Sequence, residues 1–230
     1  MSFRNLGHLR EEIVSCRRCS RLVSWREEAA EEKRASFSDQ EYWGRPVPGF
    51  GDPGARLLVV GLAPAAHGAN RTGRIFTGDR SGDWLFRALH KVGFANQPES
   101  VDRDDGLELA DCWVSAVIRC PPPENRPEPE ERKNCRPYLE AELDLLEEVR
   151  LVTALGRYAY NHVLRILKDR GREVPTPRPD FRHGREVSAG ESLAVLASYH
   201  PSQQNTFTGT LTEEMFDEIW ERARELLSDG

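Results

Sequence analysis

Two segments of the sequence combine residue types that can bind a ligand and carry out chemistry. One is a glycine-rich segment, residues 61–83, which contains Phe76, Asp79 and Asp83. The other follows the last apolar run of the chain and contains His200. Backbone amides in a glycine-rich loop can hold a polar or charged group, and an imidazole can donate, accept or transfer a proton. The two segments therefore predict a ligand site.

Each of these residues also has a structural interpretation. Phe76 could fill the core, because most aromatic side chains are buried for their area alone. His200 could hydrogen-bond a neighbouring loop, and Asp79 and Asp83 could cap a helix that begins near them. The segment does not match two familiar phosphate-binding patterns. No G-x-G-x-x-G opens the helix, and no Lys-Ser/Thr follows the glycines.

Four of the five cysteines form a second candidate site. Cys16 and Cys19 make a C-x-x-C, Cys120 precedes three prolines, and Cys135 follows after 14 intervening residues. Cys112 lies within an apolar run, where a buried inert thiol is expected. Four thiolates match either tetrahedral zinc or an iron–sulfur cubane, and the alternative is a set of unrelated thiols. A site closed by four thiolates indicates a structural role.

Alternating strands and helices must position these segments. Apolar β-branched runs separated by amphipathic stretches predict an α/β fold, with a parallel sheet covered by helices on both faces. Ligands bind at the carboxyl ends of the strands in such sheets. We expect one domain over residues 1–230, with a cluster-binding helix at its N-terminus. The predicted strands are 56–61, 111–118, 151–156 and 193–198, and the predicted helices are 81–92, 130–149, 158–168 and 212–227.

Composition restricts the class of protein. The 230 residues carry 32 Lys and Arg against 38 Asp and Glu, a net charge of -6, which argues against coating nucleic acid by bulk charge. This net charge is compatible with a local basic groove, because screening makes nearby charges matter most. Residues 168–185 carry a local excess of basic residues, although charge alone favours a solvated loop there. No apolar run approaches the roughly 20 residues of a membrane span, and no signal peptide is recognisable. We expect a cytoplasmic monomer that does not associate with membranes.

The motifs together resemble those of the uracil-DNA glycosylase superfamily. They are GLAPA at 61–65, GRIFTG at 73–78, CPPPENRP at 120–127 and HPS at 200–202. The resemblance extends from Cys16 to Gly209. It implies a three-layer α/β/α sandwich with a central four-stranded parallel sheet.

Two positions indicate the branch that the chain resembles. Leu62 stands where family-four enzymes have an acidic residue, and Ala116 stands where they have asparagine. Both positions match family five, the B-type enzymes. The resemblance implies that a 4Fe-4S cluster is held by Cys16, Cys19, Cys120 and Cys135.

The family resemblance implies a monofunctional DNA glycosylase that excises a base flipped out of the DNA. Phe76 would stack on that base, and His200 would donate to its carbonyl oxygen and stabilise the departing anion. Asn205 would help to orient the base or leaving group. Leu62 cannot activate water, so either an acid elsewhere positions it or the reactive sugar cation needs little help from a base. Asp79 is the first candidate for that acid and Asp83 the second. The expected base-binding residues are Gly61, Leu62, Ala63, Phe76, Ala116 and His200.

Duplex and single-stranded DNA with damaged bases are the expected partners. Ala116 offers no hydrogen bond to the base edge, which predicts tolerance of hydroxymethyluracil, ethenocytosine and hypoxanthine alongside uracil. Arg17 and Arg18 are candidates for phosphate contacts. The loop expected to enter the duplex comprises Gln203, Gln204, Thr206 and Phe207.

Two other functions fit part of the pattern. A catalytically inactive, cluster-bearing DNA-binding module of the same fold would explain Leu62 and Ala116. A phosphoesterase could use His200 with Asp79, although no second metal constellation accompanies them. The pairing of His200 with Phe76 favours the glycosylase, since a binding module needs neither.

Overall fold

A mixed sheet runs through the centre of the computed structural model, which describes residues 3–228. Within those residues the sheet has six strands in the order β1-β3-β2-β4-β6-β5. The inner four strands are parallel, and the two edge strands pair antiparallel to their neighbours. The strands are β1 (Phe50–Gly51), β2 (Leu57–Gly61), β3 (Cys112–Ala116), β4 (Leu151–Leu155), β5 (Glu186–Ser188) and β6 (Ala194–Ser198).

The predicted four-stranded parallel core is confirmed, and the edge strands are additions to it. Strands β2, β3 and β4 are buried along their whole length, as expected for parallel strands that are covered on both faces. The edge strands have only two and three residues. So short a segment carries no readable alternation of apolar and polar residues.

Eight α-helices surround the sheet in the described part of the chain. Four match the predicted helices to within four residues at either end. Two short helices lie inside segments predicted as loops. The helices are α1 (Leu6–Val14), α2 (Ser20–Glu32), α3 (Ala69–Thr72), α4 (Arg80–Lys91), α5 (Pro129–Leu145), α6 (Arg157–Asp169), α7 (Gln203–Phe207) and α8 (Glu213–Ser228).

Alternate residues of the strands divide the core into two halves. Leu57 and Val59 belong to one half, which α4 and α8 cover with side chains such as Trp220. Leu58 and Val60 belong to the other, which α2, α5 and α6 cover. Successive side chains of a strand point to opposite faces, so this division confirms the three-layer α/β/α sandwich.

The inner strands all end at the same edge of the sheet. Gly61, Ala116, Leu155 and Ser198 are the last residues of these parallel strands. The glycine-rich segment leaves β2 at this edge, and His200 follows β6 there. None of the helices in residues 3–228 has both the length and the apolar content needed to span a bilayer.

Candidate active site

A crevice of about 540 Å³ opens at the carboxyl edge of the sheet and brings together the two segments predicted to form a site. Its walls come from the glycine-rich segment, from the turn before α5 and from the residues after β6. It is lined by Leu62, Ala63, Ala65, Phe76, Asp79, Arg80, Ser81, Asn125, His200, Ser202, Gln203 and Gln204.

The rings of Phe76 and His200 stack in this crevice. Their centroids are 5.7 Å apart and their planes are inclined by 30°. Phe76 has a φ of 55°, in the left-handed region that non-glycine residues seldom adopt. A Cβ on Gly61 would lie 2.6 Å from Cζ of Phe76, so only glycine lets the ring settle on the end of β2. Backbone strain and close packing together direct this ring into the crevice.

His200 is a neutral imidazole at physiological pH. Burial lowers its pKa to about 4, because desolvation disfavours the charged form. The amide Nδ2 of Asn205 donates to the backbone carbonyl of His200 at 2.8 Å. This bond fixes the backbone of His200. Asn205 does not line the crevice, and its contact with a base stays a prediction.

Asp79 both caps α4 and faces the crevice. Its Oδ1 accepts from the backbone amides of Ser81 at 2.9 Å and Gly82 at 3.2 Å. Burial raises its pKa, while these two amides oppose the shift. A Cβ on Gly68 would lie 2.3 Å from Oδ2, so the loop closes tightly around the carboxylate. Asp83 is exposed and does not line the crevice, which favours Asp79 of the two carboxylates.

The remaining predicted base-binding residues lie at different depths. Leu62 and Ala63 line the crevice. Gly61 and Ala116 are buried partners in the register of β2 and β3. Sequence reasoning missed Asn125, which lines the crevice with a φ of 57°. The sequence offered one signal, an asparagine shortly after a run of prolines. Prolines indicate a turn, and asparagine is among the few residues that tolerate a positive φ there.

The segment predicted to enter the duplex forms α7 at the mouth of the crevice. Gln203 and Gln204 are exposed and line the crevice, whereas Thr206 and Phe207 do not line it. Phe207 is 69% exposed, with the guanidinium of Arg80 4.5 Å from its ring centroid. An exposed aromatic ring beside a cation is available to a partner at this rim.

Arg17 and Arg18, predicted to bind phosphate, are exposed but already engaged within the chain. Arg17 forms an ion pair with Glu27. Arg18 donates to the hydroxyl of Tyr138 at 3.0 Å and to the carbonyl of Asn134 at 3.2 Å. Either guanidinium would have to exchange or share these partners to contact DNA.

The four cysteines expected to act as ligands line one small cavity between α2, α5 and the residues after β3. Cys16, Cys19, Cys120 and Cys135 all contribute to its wall. Cys112 belongs to the opposite half of the core, where burial raises the pKa of its thiol. No group of three or more His, Cys, Asp or Glu side chains in residues 3–228 is arranged to hold a single metal ion.

Two buried arginines line the cysteine cavity, and one of them is paired with a buried carboxylate. Arg26 and Arg119 line it, and they are 2% and 1% exposed. Arg26 donates through Nη1 to Sγ of Cys120 at 3.1 Å, and Arg119 pairs with the buried Glu142 at 2.5 Å. Three of their buried nitrogens have no partner among the described residues. Unpartnered N–H groups on residues that line the four-thiol cavity fit an anionic group with sulfur ligands.

Comparisons with known proteins agree with this geometry. The family model described as "Uracil DNA glycosylase superfamily" matches residues 48–224. A type-5 uracil-DNA glycosylase of Mycobacterium tuberculosis is 53% identical over 93% of this chain and 79% of its own length. One of Thermus thermophilus is 50% identical over 94% of this chain and 95% of its own. A type-4 uracil-DNA glycosylase of Sulfurisphaera tokodaii is 26% identical over 95% of this chain and 85% of its own. The chain thus belongs to the uracil-DNA glycosylase superfamily, and within it to the type-5 group.

Proposed function

We propose that this protein removes uracil from DNA by hydrolysing the N-glycosidic bond, as a step of DNA repair. The observation that carries the proposal is the meeting of Phe76, His200 and Asp79 in one crevice. The names of the type-5 relatives support the reaction. An aromatic face, a neutral hydrogen-bond donor and a carboxylate are the three groups that the proposed mechanism uses.

The residues divide the reaction between them. The extruded base stacks on Phe76, and an N–H of the neutral His200 donates to the base carbonyl oxygen. As the bond from the sugar C1′ to the base nitrogen breaks, both bonding electrons stay with the base, and His200 stabilises that anion. Asp79 holds a water molecule and accepts its proton while the water oxygen bonds to C1′. The base anion takes up a proton from solvent and Asp79 releases one to solvent, which leaves the free base and an abasic sugar in an intact strand.

We extend the proposal to bases other than uracil. Ala116 is 1% exposed, and its side chain has no hydrogen-bonding group. This position therefore makes no hydrogen bond to the Watson–Crick edge of the base that would discriminate between bases. Hydroxymethyluracil, ethenocytosine and hypoxanthine should therefore be accepted as well. Extrusion costs a few kcal/mol and is least costly at a damaged or mispaired base, which adds selectivity.

DNA is expected to reach the crevice across α7. Phe207 and the two glutamines at the start of this helix would occupy the space that the extruded nucleotide leaves. Arg17 and Arg18 remain candidates for phosphate contacts, through exchange of their present partners. If the crevice recognises the base only after extrusion, the protein should act on single strands as well as on duplexes.

The cysteine cavity is proposed to hold a 4Fe-4S cluster. Its support is the convergence of four thiols on one cavity with two buried guanidinium groups beside them. A cubane separates its ligand sulfurs more widely than a single ion does, and its anionic charge suits this environment. The cluster would fix the N-terminal helices to α5 and the turn before it. Visible absorption and iron content of the purified protein test for it.

The function is tested with a duplex oligonucleotide that contains one uracil, followed by treatment with alkali. A strand break that appears only after alkali is the expected result, because it reports an abasic site. A break without alkali would indicate a nuclease or a lyase and would overturn the proposal. DNA binding with the uracil left in place would favour the inactive binding module. Two controls show whether excision depends on the crevice. The H200A variant should leave the uracil in place, and an undamaged duplex should not be broken after alkali.

A further inference from the structure

The cysteine cavity and the glycine-rich segment are joined by a chain of buried hydrogen bonds. At the cavity, Arg26 donates through Nη1 to Sγ of Cys120 at 3.1 Å and to the carbonyl of Cys16 at 3.2 Å. The backbone carbonyl of Arg26 in turn accepts from Nδ2 of Asn70 at 3.1 Å. Arg26 therefore contacts the cysteines with its side chain and the glycine-rich segment with its backbone.

Asn70 fastens the short helix α3 to α2. It is fully buried, and its Nδ2 donates both to the carbonyl of Arg26 and, at 3.3 Å, to that of Ala66. Its backbone amide donates to Ala65, which lines the crevice. Replacing this amide with an apolar group removes both side-chain hydrogen bonds of Asn70, and the one to Arg26 that holds α3 against α2 is fully buried.

The neighbouring Arg71 carries the constraint from α3 to Asp79. Its guanidinium donates to the carbonyl of His67 and to that of Gly78, each at 2.9 Å, and so ties the two limbs of the segment together. Gly78 directly precedes Asp79. A Cβ on Gly78 would lie 2.4 Å from Nη2 of Arg71, so glycine permits this close approach. The positive charge of Arg71 also favours the ionised form of Asp79.

We infer that Asn70 is a positioning residue for base excision, through which the four-cysteine site holds the Asp79 carboxylate in place. This inference rests on the proposed function, including the cluster. Asn70 does not line the crevice, so its loss should disturb the water-activating step and leave binding of DNA intact. The four-cysteine site then acts on catalysis through packing and hydrogen bonds, beyond holding the N-terminal helices.

The experiment compares wild type with N70A, R26K and the double variant N70A/R26K. Asn96→Ala is the matched control, because Asn96 also makes two hydrogen bonds with its amide group but lies in a loop away from both sites. For each protein, iron content, visible absorption, Tm, cluster reduction potential, and kcat and KM on a single-uracil duplex are measured. The wild-type protein is measured first. If it leaves uracil in the DNA or contains no iron, the proposed function itself is overturned before any variant is compared.

We expect N70A to keep the iron content and reduction potential of wild type, with KM within about twofold and kcat lowered about 10-fold. R26K should shift the potential, because it loses an N–H donor to a ligand sulfur, and should also lower kcat. The double variant should fall no further than about twofold below N70A, because the two residues form one link. Wild-type kcat in N70A, an equal loss in Asn96→Ala, or losses that multiply in the double variant would each overturn it.

Discussion

At the scale of single residues, the crevice contains a carboxylate although position 62 is not acidic. Leu62 lines the wall, and Asp79 supplies the carboxylate from the far end of the glycine-rich segment. The two hydrogen bonds to the start of α4 hold Oδ1, while burial raises the pKa of the group. Asp79 is thus a helix cap, and in the proposed mechanism the same side chain would also act as the base.

The role of Asp79 is tested by substitution D79N. The amide retains an oxygen that can accept from Ser81 and Gly82, so α4 and the Tm should be nearly unchanged. It cannot accept a proton, and kcat on uracil should fall roughly 100-fold. Because burial raises the pKa of Asp79, wild-type kcat should fall with decreasing pH at values above the 3.8 of an ordinary aspartate, and D79N should lose this dependence.

Substitution D83N is the matched control for D79N. It removes one negative charge from the same turn of α4, but at an exposed position outside the crevice. D83N should therefore excise uracil with the kcat of wild type. If D83N lost activity and D79N kept it, the assignment of the two carboxylates would be reversed.

The breadth of substrates is tested at Ala116. Substitution A116N introduces an amide that can hydrogen-bond the base edge, so excision of hydroxymethyluracil and ethenocytosine should fall about 10-fold relative to uracil. Leucine has a similar shape without the amide, and A116L should lower the rates on all bases alike. The measurement is kcat/KM on matched oligonucleotides. An unchanged ranking of bases in A116N would refute this explanation.

At the scale of elements, close contact between α4 and the glycine-rich segment fixes the crevice. A Cβ on Gly82, in the first turn of α4, would lie 1.8 Å from the carbonyl oxygen of Phe76. Alanine stabilises most helices by about 1 kcal/mol relative to glycine, but here the sign should reverse. G82A should cost about 1–3 kcal/mol in the free energy of unfolding, lower the Tm and reduce kcat, because the backbone of Phe76 must shift.

Gly54 provides the control for G82A. The nearest heavy atom to a Cβ there is Oδ1 of Asp52 at 3.5 Å, which is an ordinary van der Waals distance. G54A should therefore leave both Tm and kcat near their wild-type values. Thermal unfolding and the uracil assay decide the matter, and a G82A protein as stable as G54A would contradict the packing described for α4.

The elements that the sequence predicted well are those with long apolar patterns. The buried runs of β2, β3, β4 and β6 carry enough Val, Leu and Ala to be recognised, as do the four long helices after residue 79. Strands β1 and β5 were not predictable, because pairing with a neighbouring strand defines them, and their two or three residues show no periodicity. The helices α3 and α7 were predicted as loops, because their four and five residues are too short to show a helical period.

The site was predictable to the extent that motifs mark it. Phe76 and His200 are separated by more than 120 residues in the chain, and only the parallel topology brings their loops together. The contact of Asn205 with the backbone of His200, and the place of Asn125 in the wall, depend on local backbone geometry. No spacing in the sequence specifies such geometry, so these contacts had to be seen in the structure.

At the scale of the whole molecule, four histidines of the described residues make folding sensitive to mild acid. Burial lowers the pKa of His67, His162, His183 and His200, with values of about 4 for His162 and His200. The unfolded chain binds protons at these groups near pH 6.5, whereas the folded protein does not until the pH is lower. The contribution of these histidines to stability is therefore fully present above pH 6.5 and is lost as the pH falls toward 4. The raised pKa of Asp79 and Asp83 acts in the opposite direction and offsets part of this loss.

His162 allows this acid sensitivity to be measured apart from catalysis. It stacks on Tyr158 with ring centroids 4.7 Å apart, on a helix away from the crevice. H162F retains an aromatic ring without a titrating nitrogen, so its free energy of unfolding should fall less than that of wild type between pH 6.5 and 4. A difference of about 2–3 kcal/mol is expected across this range from urea unfolding at several pH values. Equal slopes for the two proteins would mean that His162 is already protonated in the folded state at pH 6, against the burial that the structure gives it.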